Sequence, residues 1–293
     1  MCKNDLLCSR KRDHFPHSPL KMKDILSEII DHKRVELAQR ELVVPTSAIR
    51  ERYERLREQR GGLAQLPSMR AALEASPTGI IAEFKRRSPS KGWIKEEGEA
   101  HVIPLSYAQA GAAALSVLTD EHFFGGKLAH LRAAYATTRC EKIYTPLLRK
   151  DFIISERQLL EARLLGASAV LLIAACLSLE EYHHLLDYAH SLGLEVLLEI
   201  HQESELPYAD SSVEMVGVNN RNLGTFHTDV ANSFRLAQQL PADKLLVSES
   251  GIDQPETLRE LREAGFRGFL MGEAFMRTPN PGDTLQQFLH NLK

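Results

Sequence analysis

Residues 169–200, AVLLIAACLSLEEYHHLLDYAHSLGLEVLLEI, begin and end in short apolar runs with a helix-patterned stretch between them. AVLLIA and EVLLEI are almost wholly apolar. As strands they would be buried on both faces, which implies a parallel sheet covered by helices. The intervening LEEYHHLLDYAHSLG keeps a 3.6-residue period and stops at Gly193, a usual helix terminus. The same rhythm runs from residue 79 to the end of the chain. Its other apolar runs are GIIAEF (79), AALSVL (113), IYTPLL (143), MVGVN (215), LLVSES (245) and GFLMGE (268), with helical stretches such as SERQLLEARLLGA and QPETLRELREAGF between them. Eight such units over roughly 200 residues fit an α/β fold of the closed (β/α)8 barrel type. An open doubly wound sheet commonly carries G-x-G-x-x-G after its first strand, and no such turn is present.

Upstream of the barrel the pattern is helical. Met22, Ile25, Leu26, Ile29 and Ile30 form an apolar stripe, with Asp24, Glu28, Asp31, Lys33 and Arg34 largely off it. A second, far more polar helix is expected over 47–60, after Pro45 and before Gly61-Gly62. Residues 1–21 are mixed in charge, hold two prolines and show no period, so they are expected to be a disordered extension. Residues 22–293 are expected to form one barrel domain that includes N-terminal helices within 22–62.

The 293 residues are 43% apolar and 26% charged, as in a soluble globular protein. The net charge of −3 comes from well-mixed acids and bases, so no global field favours nucleic acid or anionic lipid. The longest apolar run, AVLLIAACL (169–177), is too short to span a bilayer, and the N-terminus lacks the apolar core of a signal peptide. Cys2, Cys8, Cys140 and Cys176 are scattered, as for reduced thiols in the cytoplasm. His183-His184 lacks H-E-x-x-H spacing, and no Cys/His zinc pattern occurs, so no metal is expected. No heptad or alternating surface marks an obligate interface, and a monomer is expected.

Polar residues gather at the C-terminal ends of the runs, where barrels of this kind build active sites. Glu83 and Lys85 end the first strand, Lys150 and Asp151 the third, Glu199 the fifth, Asn219 and Arg221 the sixth, and Glu249 and Ser250 the seventh. Residues two apart in a strand share a face, so Glu83 and Lys85 can both face the barrel axis. One charged strand end is ordinary solvation; five are not, because charge facing a low-dielectric barrel is costly unless paired or used. Ser250-Gly251 and Gly272-Glu273 stand at loop-to-helix junctions after strands seven and eight, where backbone N–H groups favour a phosphate.

Taken in order, IIAEFKRRSPSKG (80–92), SVLTDEHFFGG (116–126), PLLRKDFII (146–154), LLEI (197–200), VGVNNRNL (216–223), VSESGI (247–252) and LMGEAFM (270–276) resemble the indole-3-glycerol phosphate synthase family. The resemblance runs from about Met22 to the C-terminus and implies an extra N-terminal helix over the catalytic mouth. It implies closure of an indole ring with loss of CO2 and water, on a phosphorylated small-molecule substrate, with no metal or organic cofactor. By the same resemblance Lys150 is the general acid at the carbonyl, Glu199 handles protons in the dehydration, and Lys85 binds an anionic end of the substrate and takes part in proton transfer. Glu83 holds the lysines charged, and Asn219 and Arg221 orient the substrate. Ser88 holds the carboxylate end, Phe124 walls the aromatic ring, Glu249 lies beside the substrate, and Ser250, Gly251, Gly272 and Glu273 cradle the phosphate. Glu273 stands where some relatives have Ser, so its backbone N–H is expected to serve the phosphate while its carboxylate turns away. Arg86, Arg87 and Lys91 are expected on or near a mobile loop that attracts the anion. Another phosphate-binding barrel, or a metabolite sensor on the same fold, would not need Glu83, Lys85, Lys150 and Glu199 together.

Overall fold

Every second residue of the eight apolar runs faces one axis. In the computed structural model, which describes residues 25–292 except 60, 211, 223 and 225, the runs form β1 (Ile80–Phe84), β2 (Ala114–Leu118), β3 (Leu147–Lys150), β4 (Ala169–Ile173), β5 (Glu195–Ile200), β6 (Met215–Asn219), β7 (Leu245–Glu249) and β8 (Gly268–Met271). All neighbours are parallel, and Ile81 beside Leu270 closes the barrel between β1 and β8. Ile80, Ala82 and Phe84 point outward into the cluster shared with the helices, whereas Ile81 joins Leu148, Leu171, Leu197, Met215 and Val247 inside the barrel. This period of two, buried on both sides, is why the runs read as continuously apolar.

The alternation decides where the charge goes. On the alternate strands β1, β3, β5 and β7 the interior residues are Ile81, Leu148, Leu197 and Val247. Two positions further on, the same strands carry Glu83, Lys150, Glu199 and Glu249. Side chains from alternate strands fill such barrels in layers of four. Here the uppermost of these layers is ionic instead of aliphatic.

The third run differs from the sequence reading. Ile143 and Tyr144 lie outside β3, because Pro146 lacks the N–H a ladder needs and the strand starts after it. Between β5 and β6 the described residues form only a 3-10 turn, Glu203–Tyr208, which contains Pro207. The other crossovers carry α-helices.

Ahead of the barrel stand α1 (Ile25–Val43), α2 (Thr46–Glu58) and α3 (Met69–Ala75). α3 plugs the barrel floor: Met69 and Leu73 enter the interior cluster, and the Glu195 carboxylate at the start of β5 accepts from the N–H groups of Met69 and Arg70 at 2.6 and 3.0 Å. α1 crosses the opposite end. Ile29 and Ile30 are buried as the stripe predicts, but Lys33, placed by the pattern on the polar side, is only 1% exposed. Its ammonium lies 2.9 Å from Asp120 and 3.1 Å from Asp151, which the β2 and β3 ends hold beneath the helix. The disordered extension expected over 1–21 lies outside the described residues. No described helix is long and apolar enough to cross a membrane.

Candidate active site

The ionic layer opens into a cavity of about 320 Å3 at the C-terminal ends of the strands. Glu83, Lys85, Ser88, Phe124, Lys150, Glu199, Asn219, Arg221, Glu249, Ser250, Gly251, Gly272 and Glu273 all line it, roofed by Ile25, Leu26 and Ile29 of α1. Every candidate drawn from the sequence is therefore brought to one chamber.

Lys150 is its electrostatic centre. Its Nζ lies 2.8 Å from Glu199 Oε2 and 3.1 Å from Glu249 Oε2. Burial alone would lower its proton affinity, but Glu199, Glu249 and Glu83 outweigh burial and hold the ammonium well above the usual lysine range. Glu199 is likewise buried. Lys150 and His201 more than offset the desolvation and keep it ionised far below the usual carboxylate range. Asn219 Nδ2 donates to its other oxygen at 3.0 Å.

Glu249 differs although it touches the same lysine. Burial raises it, Lys150 opposes, and the negative charges of Glu199 and Glu83 push it further, to about 7. No hydrogen bond satisfies either of its oxygens, so the contact with Lys150 is one of charge. The carboxylate fits only because residue 217 on the neighbouring strand is glycine: a Cβ there would stand 2.2 Å from Glu249 Oε1. Across the barrel, Glu83 Oε1 and Lys85 Nζ pair at 2.8 Å, and a Cβ at residue 272 would meet Glu83 Oε1 at 2.7 Å.

The end of the chamber at Ser250 and Gly251 is built from turns. Ser250 and Gly251 both take left-handed backbone, φ +68° and +79°, a conformation uncommon for serine and found where a loop is held for a purpose. Ser250 Oγ donates to Asn219 Oδ1 at 3.0 Å, and its carbonyl accepts from Asn220 Nδ2 at 3.0 Å. Arg221 reaches over the chamber to Ser90 Oγ at 3.0 Å. The Glu273 carboxylate does not turn away from the cavity as expected. It lies 3.7 Å from Arg221 and 4.0 Å from Lys91, drawn in by these two cations.

Ser88 is buried with its hydroxyl unpartnered at the cavity wall. Phe124 meets Phe152 with ring centroids 5.9 Å apart and planes tilted by 40°, an apolar wall beneath α1. Asp120 Oδ1 accepts from the backbone N–H groups of Phe123 and Phe124, so the carboxylate that pairs with Lys33 also sets this wall. Asp151 also lines the chamber, but its carboxylate is engaged by Lys33, Arg149 and the Thr119 hydroxyl. Arg86 and Arg87, expected on or near a loop that attracts the anion, stack on Trp93 at 5.3 and 5.6 Å and donate to the carbonyls of Glu96 and His122.

Three features were missed. Gly217 and Lys33 gave no local signal. His201, 3.2 Å from Glu199, did give one, since it repeats the two-residue spacing beyond that carboxylate.

Comparison with known proteins identifies one family. Residues 26–288 match the family model described as indole-3-glycerol phosphate synthase. A Bacteroides thetaiotaomicron protein of that name is 56% identical over 275 residues, covering 93% of this chain and 100% of the relative. One from a Polaromonas species is 43% identical, covering 91% and 98%. Among solved structures, thiamine phosphate pyrophosphorylase from Pyrococcus furiosus superposes with a TM-score of 0.57 at 13% identity, covering 77% of this chain and 98% of that one. For 3-hexulose-6-phosphate synthase from Salmonella typhimurium the TM-score is 0.54 at 12% identity, with 73% and 100% covered. At such identities these two share the fold alone.

Proposed function

The chain belongs to the indole-3-glycerol phosphate synthase family, and from that membership we propose how its ionic mouth closes an indole ring. The enzyme is a carboxy-lyase. It converts 1-(2-carboxyphenylamino)-1-deoxyribulose 5-phosphate to indole-3-glycerol phosphate, a step of tryptophan biosynthesis. The ring carbon bearing the carboxylate attacks the ketone, CO2 leaves as the ring regains aromaticity, and the hydroxyl departs with a neighbouring C–H proton as water.

Each step asks something of the chamber. Attack needs a proton donor at the ketone oxygen, and Lys150 supplies it from the centre of the ionic layer. Dehydration needs one group to protonate the departing hydroxyl and another to take the ring proton. Lys85, just beyond β1, and Glu199 on the opposite strand β5 are assigned this pair, with Glu83 paired to Lys85 and Asn219 holding Glu199 in place. The phosphate sits against Ser250, Gly251, Gly272 and the backbone of Glu273, with Arg221 beside it. The aromatic ring lies on Phe124 under the apolar face of α1, and Ser88 offers its free hydroxyl to the carboxylate.

The observation that carries this reading is the layer Glu83, Lys150, Glu199 and Glu249, which puts a shared ammonium among carboxylates where a barrel would otherwise be aliphatic. Given the substrate and no added metal, the purified protein should develop the indole chromophore; unchanged ultraviolet absorbance and fluorescence would exclude the reading. Lys150→Ala should lower kcat by ~100-fold or more, the scale of a positioned general acid. Near-normal turnover would remove Lys150 from that role.

A further inference from the structure

His201 stands two residues beyond Glu199, at the exit of β5, and lines a second cavity behind Asn219, not the first. Its Nε2 lies 3.2 Å from Glu199 Oε1 and its Nδ1 3.7 Å from Glu205 Oε2. Glu205 is only 6% exposed. It is fixed by the His201 backbone N–H at 2.6 Å and the Gln202 side chain at 3.3 Å. The imidazole is thus flanked by two buried carboxylates, one catalytic by assignment and one not. Arg221, His227, Asp229 and Arg235 share the cavity wall, with Arg235 paired to Glu203, and from the 231–237 helix Asn232 donates to the His201 carbonyl at 3.0 Å.

We propose that His201 is a positioning residue: as an imidazolium held by Glu205, it keeps Glu199 ionised and makes Glu249 the carboxylate that carries the site's spare proton. This rests on the assignment of Glu199 to proton handling.

The argument is one of charge counting. Glu205, His201, Glu199, Lys150 and Glu249 form a line of alternating charge, and Glu83 with Lys85 completes the group. Four carboxylates face three cations. Buried groups this close titrate as a unit, and an unmatched negative charge is resolved by taking up a proton. Glu249, which lacks a second cation, takes it; Glu199, with His201 beside it, does not. Burial would make the imidazole neutral, but Glu199 and Glu205 outweigh that and raise it to about 9. With a neutral residue at 201, four carboxylates would face two cations, and the spare proton would be held more tightly.

Two measurements decide this. Ring-nitrogen NMR of the free enzyme, with His201 assigned by its loss in His201→Asn, should show His201 protonated through neutrality and titrating near pH 9. Glu205→Gln should lower that midpoint by about one unit. A midpoint near the ordinary ~6.5 would overturn the proposal. In turnover, His201→Asn should move the near-neutral inflection of the kcat/KM profile, which reports the free enzyme, upward by about one pH unit. Its KM should stay within about twofold, as for loss of a contact that acts through another residue. A fall in kcat with the inflection unmoved would mean a purely structural role and also overturn it. Glu205→Gln leaves three carboxylates facing three cations, since the imidazolium stays charged at neutral pH, so it should move the inflection the opposite way, downward; an upward or unmoved inflection there would also overturn the proposal, and this variant replaces His201→Asn if that one does not fold. Absence of turnover in the unaltered enzyme would refute the functional reading alone, and the NMR midpoint would still decide the role of His201.

Discussion

Glu199 and Glu249 flank one ammonium, yet their proton affinities are driven apart: the first stays ionised, the second is pushed up to about 7. Such a split marks acid from base in many active sites. It also has a stability consequence. Between about pH 4.5 and 7 the folded chain keeps a proton on Glu249 that the unfolded chain has released, so this residue lowers stability as pH rises through that window. Glu249→Gln removes the effect. Denaturant titrations should show the variant more stable by roughly 1–3 kcal/mol at pH 8 and little changed at pH 4; an equal difference at both would disprove the assignment. Glu249 was visible in the sequence as a charged strand end, but its difference from Glu199 was not. That difference comes from burial, Lys150 and His201 acting on Glu199, and from burial with the charges of Glu199 and Glu83 acting on Glu249, groups that lie far apart in the chain.

Two elements carry more of the site than their sequences declare. In β6, MVGVN reads as an ordinary buried strand, yet Gly217 makes the space into which Glu249 projects. Gly217→Ala should leave the circular dichroism intact while displacing that carboxylate. A fall in kcat of ~10- to 100-fold is expected, the scale of an ångström's misplacement in a reacting site, and unaltered kinetics would show that the close approach is dispensable. In α1, Lys33 looked like one more solvated lysine because Asp120 and Asp151 are far away in sequence and only the fold brings them beneath it. Burial raises Asp151, but Lys33 and Arg149 outweigh it and bring it to about 2. The carboxylate therefore contributes its stability above about pH 3.8 and loses it as pH falls through about 2. Lys33→Met leaves the buried Asp120 without its cation and Asp151 with Arg149 alone. A loss of about 3–5 kcal/mol in unfolding free energy at pH 7 is expected. KM should rise as well, because Asp120 also sets the Phe124 wall; unchanged stability and KM would show α1 to be held by its apolar stripe alone.

At the scale of the whole molecule, the family match begins at residue 26, and the Bacteroides relative is covered completely by 93% of this chain. Removal of residues 1–21 should therefore leave kcat and KM intact, and a large loss in either would assign that segment a part in the chamber. Barrel closure was legible because each strand is a short apolar run with its own helical partner, a signal local to some thirty residues. The weak points of that reading were local too: Pro146 delays β3, and Pro207 with its polar neighbours shortens the β5–β6 crossover to a 3-10 turn.

The two-residue period of the strands was enough to say which side chains face the axis and that the last of them are charged. It therefore determined the barrel, its mouth and the charged layer of Glu83, Lys150, Glu199 and Glu249. Which carboxylate shares Lys150, which keeps a proton and where Glu273 turns were decided only by tertiary structure. Periodicity is a property of neighbours along the chain, whereas proton affinity depends on charge and burial within a few ångströms in space, where residues from four strands and a distant helix meet.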